Sequence, residues 1–125
     1  CWGSNWDGQL GLGDNTIRGD GSGAMGDGLP AVDLGPGQTA VQLALGYGHT
    51  CALLDTGMLK CWGSNSFQLF DDKSGGQLGL GDTLARGAGA NDMGANLSSV
   101  NVGAGWTVVE VAAGIEHTCA RLENG

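Results

Sequence analysis

The chain has 125 residues, a formal net charge of −8 and only five basic residues. This length allows one small domain at most, and five scattered cations cannot form the basic surface that a nucleic-acid partner requires. An acidic chain is repelled by anionic membrane surfaces, and no apolar run is long enough to span a bilayer, so we expect no membrane insertion. Glycine accounts for 26 residues. Because apolar residues alternate between the glycines, we expect a turn-rich sheet protein rather than a flexible linker.

The first half of the chain contains one loop and one short predicted strand before its main sheet. The chain opens with CWGSN and continues with GQLGLGD at Gly8–Asp14. Residues 15–29 show no apolar period and are predicted to form a long loop. LPAVDLG at Leu29–Gly35 is predicted to be a short outer strand, because Pro30 is tolerated at an edge or at a strand start.

The middle of the chain predicts a strand followed by a hairpin. AVQLALG at Ala40–Gly46 alternates and places its larger apolar residues on one face. HTCALLDTGMLKCWG then predicts two antiparallel strands around the turn Asp55–Gly57. This register pairs Leu54 with Met58, Leu53 with Leu59, and Cys51 with Cys61. Few charges lie on the second face of these strands, so we expect sheets that are covered on both sides.

The second half of the chain repeats the first. Gly8–Gly57 aligns without a gap with Gly76–Gly125 at an offset of 68, and 26 of the 50 pairs are identical. VVEVAAG at Val108–Gly114 is thus the second copy of the first strand. The CWGSN phrase recurs at an offset of only 60, because a ten-residue segment at 66–75 replaces Trp6 and Asp7. A period in this range indicates a solenoid, a propeller or an array.

Two segments of the repeat resemble a known family. VQLALGYGHTCALLDTGMLKCWGSN and GQLGLGD are similar to the repeats of the regulator of chromosome condensation (RCC1) type. This resemblance implies an all-β fold, a seven-bladed β-propeller, of which residues 1–125 would supply about two blades. The repeat units would run approximately over 1–60 and 61–125, and both ends would fall within a hairpin. The remaining blades of the same full-length chain are therefore expected partners.

The cysteines indicate a disulfide and an oxidising compartment. Cys51 lies opposite Cys61 in the predicted register, close enough for a disulfide, although a cysteine can also fill a small buried site. A disulfide favours an extracellular, periplasmic or cell-surface location. A zinc site at the His-x-Cys pairs is disfavoured because the usual C-x-x-C spacing is missing. A calcium loop at Asp14, Asp20 and Asp27 is disfavoured because the second copy keeps only the first aspartate, Asp82, so Asp14 and Asp82 are expected to be turn residues. We expect no metal and no cofactor.

The two histidines of the repeat show no catalytic arrangement. His49 and His117 occupy the same position in each copy, and neither has a recognisable nucleophile or acid partner in the sequence. We interpret them as structural, each with a hydrogen bond inside its own blade. Trp2 and Trp62 are likewise interpreted as repeated core aromatics. The sequence therefore predicts that the protein is not an enzyme.

Positions that differ between the copies are free to contact a partner. Such differences occur at Trp6, Trp106 and Tyr47, which is Ile115 in the second copy, and throughout the segment 66–75. Exposed loop aromatics often bind, although this loop could instead fold onto its own blade. We hypothesise a non-enzymatic scaffold that binds a protein or glycan. The alternative is a guanine-nucleotide exchange factor for a small GTPase inside the cell, which predicts reduced cysteines. The candidate contact residues are Trp6, Phe67, Leu69, Phe70, Asp71, Asp72 and Trp106.

Overall fold

The computed structural model describes residues 1–66 and 75–125, which form two antiparallel sheets. The first sheet contains β1 (Ala40–Leu45), β2 (His49–Leu54) and β3 (Leu59–Gly63), and the second contains β4 (Val108–Ala113) and β5 (Thr118–Leu122). Two 3₁₀ turns, Gly26–Gly28 and Gly94–Asn96, lie in the long loops. The described ranges contain no α-helix, and they contain no helical segment that is long and apolar enough to cross a membrane. The predicted all-β class is confirmed, and the two sheets are consistent with part of a β-propeller.

The predicted hairpin is confirmed residue by residue. Leu53 pairs with Leu59, and Cys51 pairs with Cys61 with their Cα atoms 4.1 Å apart. A disulfide joins these two cysteines, as predicted. The turn closes through Gly57, whose φ of +78° lies in the left-handed region that glycine adopts without steric cost. A short loop with a glycine in that conformation therefore set the register.

The two copies pack against each other on both faces of the first sheet, since Leu97 of the second copy packs with Leu54 and Trp62 on one face and a larger cluster lies on the other. The main apolar cluster joins residues of both copies: Ala44, Cys51, Leu53, Leu59, Cys61, Leu78, Val108 and Val111. Gln42 reinforces this contact, because its Nε2 donates to the carbonyl oxygen of Val111 at 2.8 Å and its Oε1 accepts the N–H of the same residue at 3.3 Å. Lys60 also spans the copies, since its buried Nζ donates to the carbonyl oxygens of Leu34 and Gly94. Apolar burial and polar clamps thus fix one copy on the other.

The expected covering on both sides holds for β2 and β3 but not for β1. Every residue of β2 and β3 is buried. The apolar face of β1, formed by Val41, Leu43 and Leu45, is exposed. Val111, which is the counterpart of Leu43 in the second copy, is buried against the first copy. Among the described residues, Leu43 of β1 is therefore exposed at the position where Val111 of β4 is buried.

The predicted strand at Leu29–Gly35 is wrong, because this segment forms no ladder. Its backbone contact with the second copy is one hydrogen bond, from the Gly94 N–H to the carbonyl oxygen of Asp33 at 2.9 Å. The Asp33 carboxylate accepts the N–H of Gly35 at 2.8 Å, which bends the chain locally. Lys60 takes the Leu34 carbonyl that a neighbouring strand would need. Side-chain bonds have replaced the pairing that a strand requires.

Trp2 and Trp62 differ in burial although they occupy the same position in the repeated phrase. Trp62 is 1% exposed and donates its Nε1–H to the carbonyl oxygen of Gln9. Its ring lies so close to Gly11 that a Cβ there would be 2.6 Å from Nε1. Trp2 is 66% exposed. The prediction of a core aromatic is confirmed for Trp62 and is wrong for Trp2, because the described residues provide no loop that covers the Trp2 ring.

Candidate binding surface and inter-repeat cleft

Each copy is held by a buried asparagine from the CWGSN phrase. Asn65 Oδ1 accepts the N–H of Leu78 at 3.0 Å, and its Nδ2 donates to the carbonyl oxygens of Asp82 at 2.9 Å and Leu84 at 3.1 Å. Asn5 makes the same contacts in the first copy, with Leu10, Asp14 and Thr16. A fully buried amide requires such partners, which explains why the phrase ends in asparagine.

The repeated aspartates are turn residues, as predicted. Asp14 Oδ1 accepts the N–H of Thr16 at 2.8 Å, and Asp14 Oδ2 pairs with Arg18 at 2.7 Å. Hydrogen bonding to Arg18 and to the Thr16 backbone holds the pKa of Asp14 below its usual value. Asp82 repeats the arrangement with Leu84 and Arg86. Both carboxylates are thus committed to their own loops.

The repeated histidine links the copies rather than bonding within its own blade. His49 is buried, and its Nε2 lies 3.0 Å from Thr118 Oγ1 in the second copy. Thr118 Oγ1 donates its own proton to the carbonyl oxygen of Gln77 at 2.8 Å. The hydroxyl must therefore accept from His49, which assigns the proton of the neutral ring to Nε2. The predicted hydrogen bond within each blade is wrong for His49, because its ring points across the interface.

Three exposed apolar side chains share one end of the molecule, which we call the rim and define as Trp6, Tyr47 and Ile115. Tyr47 is 76% exposed, Trp6 71% and Ile115 69%. The N–H of Tyr47 donates to the carbonyl oxygen of Ile115 at 3.2 Å, so these two turns are adjacent. A Cβ at Gly48 would lie 3.2 Å from Asp7 Oδ2, which places the turn that carries Trp6 beside them.

The ten-residue segment leaves the sheet at the same end as the rim. Ser66 and Gly75 form an antiparallel bridge at its base. A Cβ added at Gly48 would lie 3.2 Å from the Cβ of Ser64, so Ser64 is beside the rim. The hydroxyl group of Ser64 donates to the carbonyl oxygen of Ser66. Five of the candidate contact residues fall in the enclosed stretch and lie outside the described residues: Phe67, Leu69, Phe70, Asp71 and Asp72.

Trp106 lies at the opposite end from Trp6. It precedes β4, whose first residue, Val108, donates its N–H to the carbonyl oxygen of Gly57 in the β2–β3 turn. The rim lies at the turns that follow β1 and β4, a strand length away. The structure therefore brings Trp6 together with Tyr47 and Ile115, and it separates Trp6 from Trp106. Tyr47 and Ile115 were identifiable in the sequence only as a position where the copies differ.

An open cleft of about 390 Å³ runs between the two copies. Leu59 and Cys61 of β3 form one wall, and residues of the GQLGLGD and HTCA segments of the second copy form the other. Four polar residues of the second copy line the cleft: Gln77, Glu116, His117 and Thr118. The repeat therefore creates a pocket of mixed polarity at the junction of its two copies.

Comparison with known families identifies the repeat. The family described as the regulator of chromosome condensation (RCC1) repeat matches residues 40–68, which run from the start of β1 into the segment after β3. This match confirms the resemblance that the sequence motifs indicated. Residues 40–68 are similar to an RCC1-type repeat, and the two antiparallel sheets are consistent with part of a β-propeller.

Proposed function

We propose that this chain is part of a non-enzymatic recognition scaffold that binds a protein or glycan partner through the rim. The observation that carries the proposal is the grouping of Trp6, Tyr47 and Ile115, each more than two-thirds exposed, at one end of the module. Large apolar side chains that remain exposed together on a folded surface commonly mark an interaction site. Aromatic side chains also supply much of the binding energy of protein interfaces.

The pattern of variation between the copies supports the same surface. The buried asparagine that holds each loop is the same in both copies, as Asn5 and Asn65 show, whereas the rim residues differ. A repeat scaffold can change such exposed positions without loss of its fold, because they make few internal contacts. The partner would therefore be selected by side chains that the framework does not need.

The use of the polar residues supports a non-enzymatic role. Three groups with the chemistry to act as acids, bases or ligands are engaged in the framework: His49 with Thr118, Asp14 with Arg18, and Lys60 with two carbonyl groups. Catalysis requires such groups to converge on a position that a reacting atom could occupy. The framework contacts account for these side chains without a reaction.

The Cys51–Cys61 disulfide supports an extracytoplasmic location, because reducing compartments do not maintain structural disulfides. Thiol trapping in the native host followed by peptide mapping tests this point. We expect Cys51 and Cys61 to be recovered as one linked pair. Recovery of both as alkylated thiols would contradict the location and would favour the intracellular exchange factor, to be checked by nucleotide release from a small GTPase.

The rim is tested with variants at both ends of the module. Labelled protein would be applied to a glycan array and to immobilised surface proteins of the host, and each binder confirmed by titration. We expect the double variant Trp6→Ala/Tyr47→Ala to lose most of its affinity for a confirmed binder, whereas Trp106→Ala at the opposite end keeps it. Loss in Trp106→Ala alone would place the binding surface elsewhere.

A further inference from the structure

Two acceptor atoms in the inter-repeat cleft have no hydrogen-bond partner among the described residues. They are Gln77 Oε1 and Glu116 Oε1, and both atoms are buried. Gln77 as a whole is only 7% exposed. Both residues line the cleft between the copies. A buried acceptor without a donor costs free energy, so its occurrence in a folded protein requires an explanation.

Comparison of the copies shows what differs around the first of these acceptors, Gln77 Oε1. In the first copy the equivalent glutamine, Gln9, accepts the N–H of Asp7 through its Oε1 at 2.9 Å. The residue before GQLGLGD is Gly75 in the second copy, and a Cβ there would lie 2.6 Å from the carbonyl oxygen of Asn65. In the second copy Gly75 stands in place of Asp7, which removes the aspartate, and no described residue donates to Gln77 Oε1.

The second copy restores the carboxylate from a different part of the chain. Glu116 occupies the position that Gly48 holds in the first copy. A side chain at Gly48 would meet the Asp7 carboxylate, with a separation of 3.2 Å from its Oδ2. The acidic side chain is therefore supplied by Asp7, before the GQLGLGD segment, in the first copy, and by Glu116, before the HTCA segment, in the second copy. In the second copy the acid lines the same cleft as the unpaired side-chain carbonyl of Gln77, and this cleft also has apolar walls.

We propose that this cleft binds a primary alkylammonium group, supplied either by a lysine side chain of a partner protein or by a free amine. An ammonium group carries three donors and one positive charge, which match the Glu116 carboxylate and the Gln77 carbonyl. Leu59, Leu78 and Val100 line the same cleft and can cover the methylene groups of the ligand. The site is independent of the rim, because it depends on none of the three rim side chains.

The test is a titration of ¹⁵N-labelled protein followed by NMR at pH 7. The probes are butylammonium and Nα-acetyl-lysine N-methylamide. We expect saturable shifts for the backbone amides of Gln77, Glu116 and Thr118 and for the side-chain amide of Gln77. Equal affinity for the two probes would indicate a free amine as the natural ligand, whereas tighter binding of the lysine derivative would indicate a protein partner.

Matched variants decide whether the cleft is responsible. Glu116→Gln should weaken binding at least tenfold, whereas Glu123→Gln, which makes the same charge change at an exposed position, should not. Glu116→Asp keeps the charge and should bind with intermediate affinity, which separates loss of the site from loss of the fold. Tetramethylammonium has no N–H donor and should give no saturable shift.

The titration is repeated in Lys73→Gln, because Lys73 lies outside the described residues and is an alkylammonium group of the chain itself. Probe binding that occurs only in Lys73→Gln would support the site and would show that the Lys73 ammonium group competes with the probe for it. The proposal is overturned if neither protein shows saturable shifts, if Glu116→Gln binds as tightly as the unmodified chain, or if tetramethylammonium binds as well as butylammonium.

Discussion

At the scale of single residues, one hydroxyl group connects the two copies. Thr118 Oγ1 accepts from His49 of the first copy and donates to Gln77 of its own. The equivalent hydroxyl of Thr50 donates to the carbonyl oxygen of Gln9 at 2.9 Å. Both threonines thus fasten the GQLGLGD loop, but Thr118 in addition satisfies a buried imidazole. This difference makes Thr50 a natural control for Thr118.

We expect Thr118→Val to destabilise the chain more than Thr50→Val. Both substitutions remove a hydroxyl and its loop contact, but only Thr118→Val leaves the His49 N–H buried and unpaired, at a cost of roughly 1–3 kcal/mol. The free energy of unfolding, obtained from urea titrations of the two variants, measures the difference. Equal losses would show that the histidine contact contributes nothing to stability.

The same histidine makes stability depend on pH. Burial, and secondly the charge of His117, lower the pKa of His49 below its ordinary value of 6.5 in the folded chain. The unfolded chain therefore takes up this proton first as the pH falls. We expect the contribution of His49 to be complete above pH 6.5 and to decline as the pH falls from 6.5 towards the folded pKa. Urea titrations at several pH values check this.

The control for the pH effect is His49→Gln, which keeps a donor of similar reach without a titrating ring. The variant should show a flatter dependence of the free energy of unfolding on pH in the same interval. An identical slope in the two proteins would assign the pH dependence to other groups.

At the scale of elements, the spacing G-x-x-H reflects a steric requirement. A Cβ at Gly46 would overlap the ring of His49, and a Cβ at Gly114 would overlap the ring of His117. The histidine folds back over the turn that precedes it, so only glycine leaves room. The motif that made the family recognisable is therefore a packing unit between a turn and the strand that follows it.

We expect Gly46→Ala to lower the free energy of unfolding by about 1–3 kcal/mol, because the added methyl group forces the His49 ring from its position. Gly21→Ala is the control, because a Cβ at Gly21 meets no atom within 4 Å. Differential scanning calorimetry of both variants makes the comparison. A Gly46→Ala variant as stable as Gly21→Ala would contradict the packing argument.

The elements show which features the sequence could predict. The hairpin and its disulfide depend on a three-residue turn and on alternation, which are local, so the pairing of Cys51 with Cys61 was predictable. The segment Leu29–Gly35 is apolar enough for a strand, but long-range bonds from Lys60 and Gly94 determine its path. The separation of Trp6 from Trp106 likewise follows from topology, since equal variability between copies does not indicate at which end a residue lies.

At the scale of the whole molecule, the interface between the copies shows which part of the first copy is left without a packing partner among the described residues. Val111 and Leu78 of the second copy are buried in that interface. Their counterparts in the first copy are Leu43, which is exposed, and Leu10, which is buried. The uncovered part is thus the β1 strip of Val41, Leu43 and Leu45. In a propeller, a neighbouring blade covers such a face.

We expect the 125-residue chain in isolation to self-associate through the β1 strip. Leu43→Glu should reduce this association, because a carboxylate cannot be buried at an apolar contact without a large cost. Leu84→Glu places the same charge on a leucine that is exposed in a loop, and it serves as the control. Sedimentation velocity over a range of concentrations gives the association constant. A monomer at all concentrations, or an equal effect of both substitutions, would contradict the prediction.

The exchange of an acidic side chain between Asp7 and Glu116 has a consequence for the engineering of such repeats. A consensus repeat chosen one position at a time can combine aspartate at position 7 with glutamate at position 48, where a side chain would meet the aspartate. It can equally combine glycine at both positions and lose the acid altogether. Neither product corresponds to a natural copy. The residues at these two positions must therefore be chosen together, so an engineered repeat should take both of them from the same natural copy.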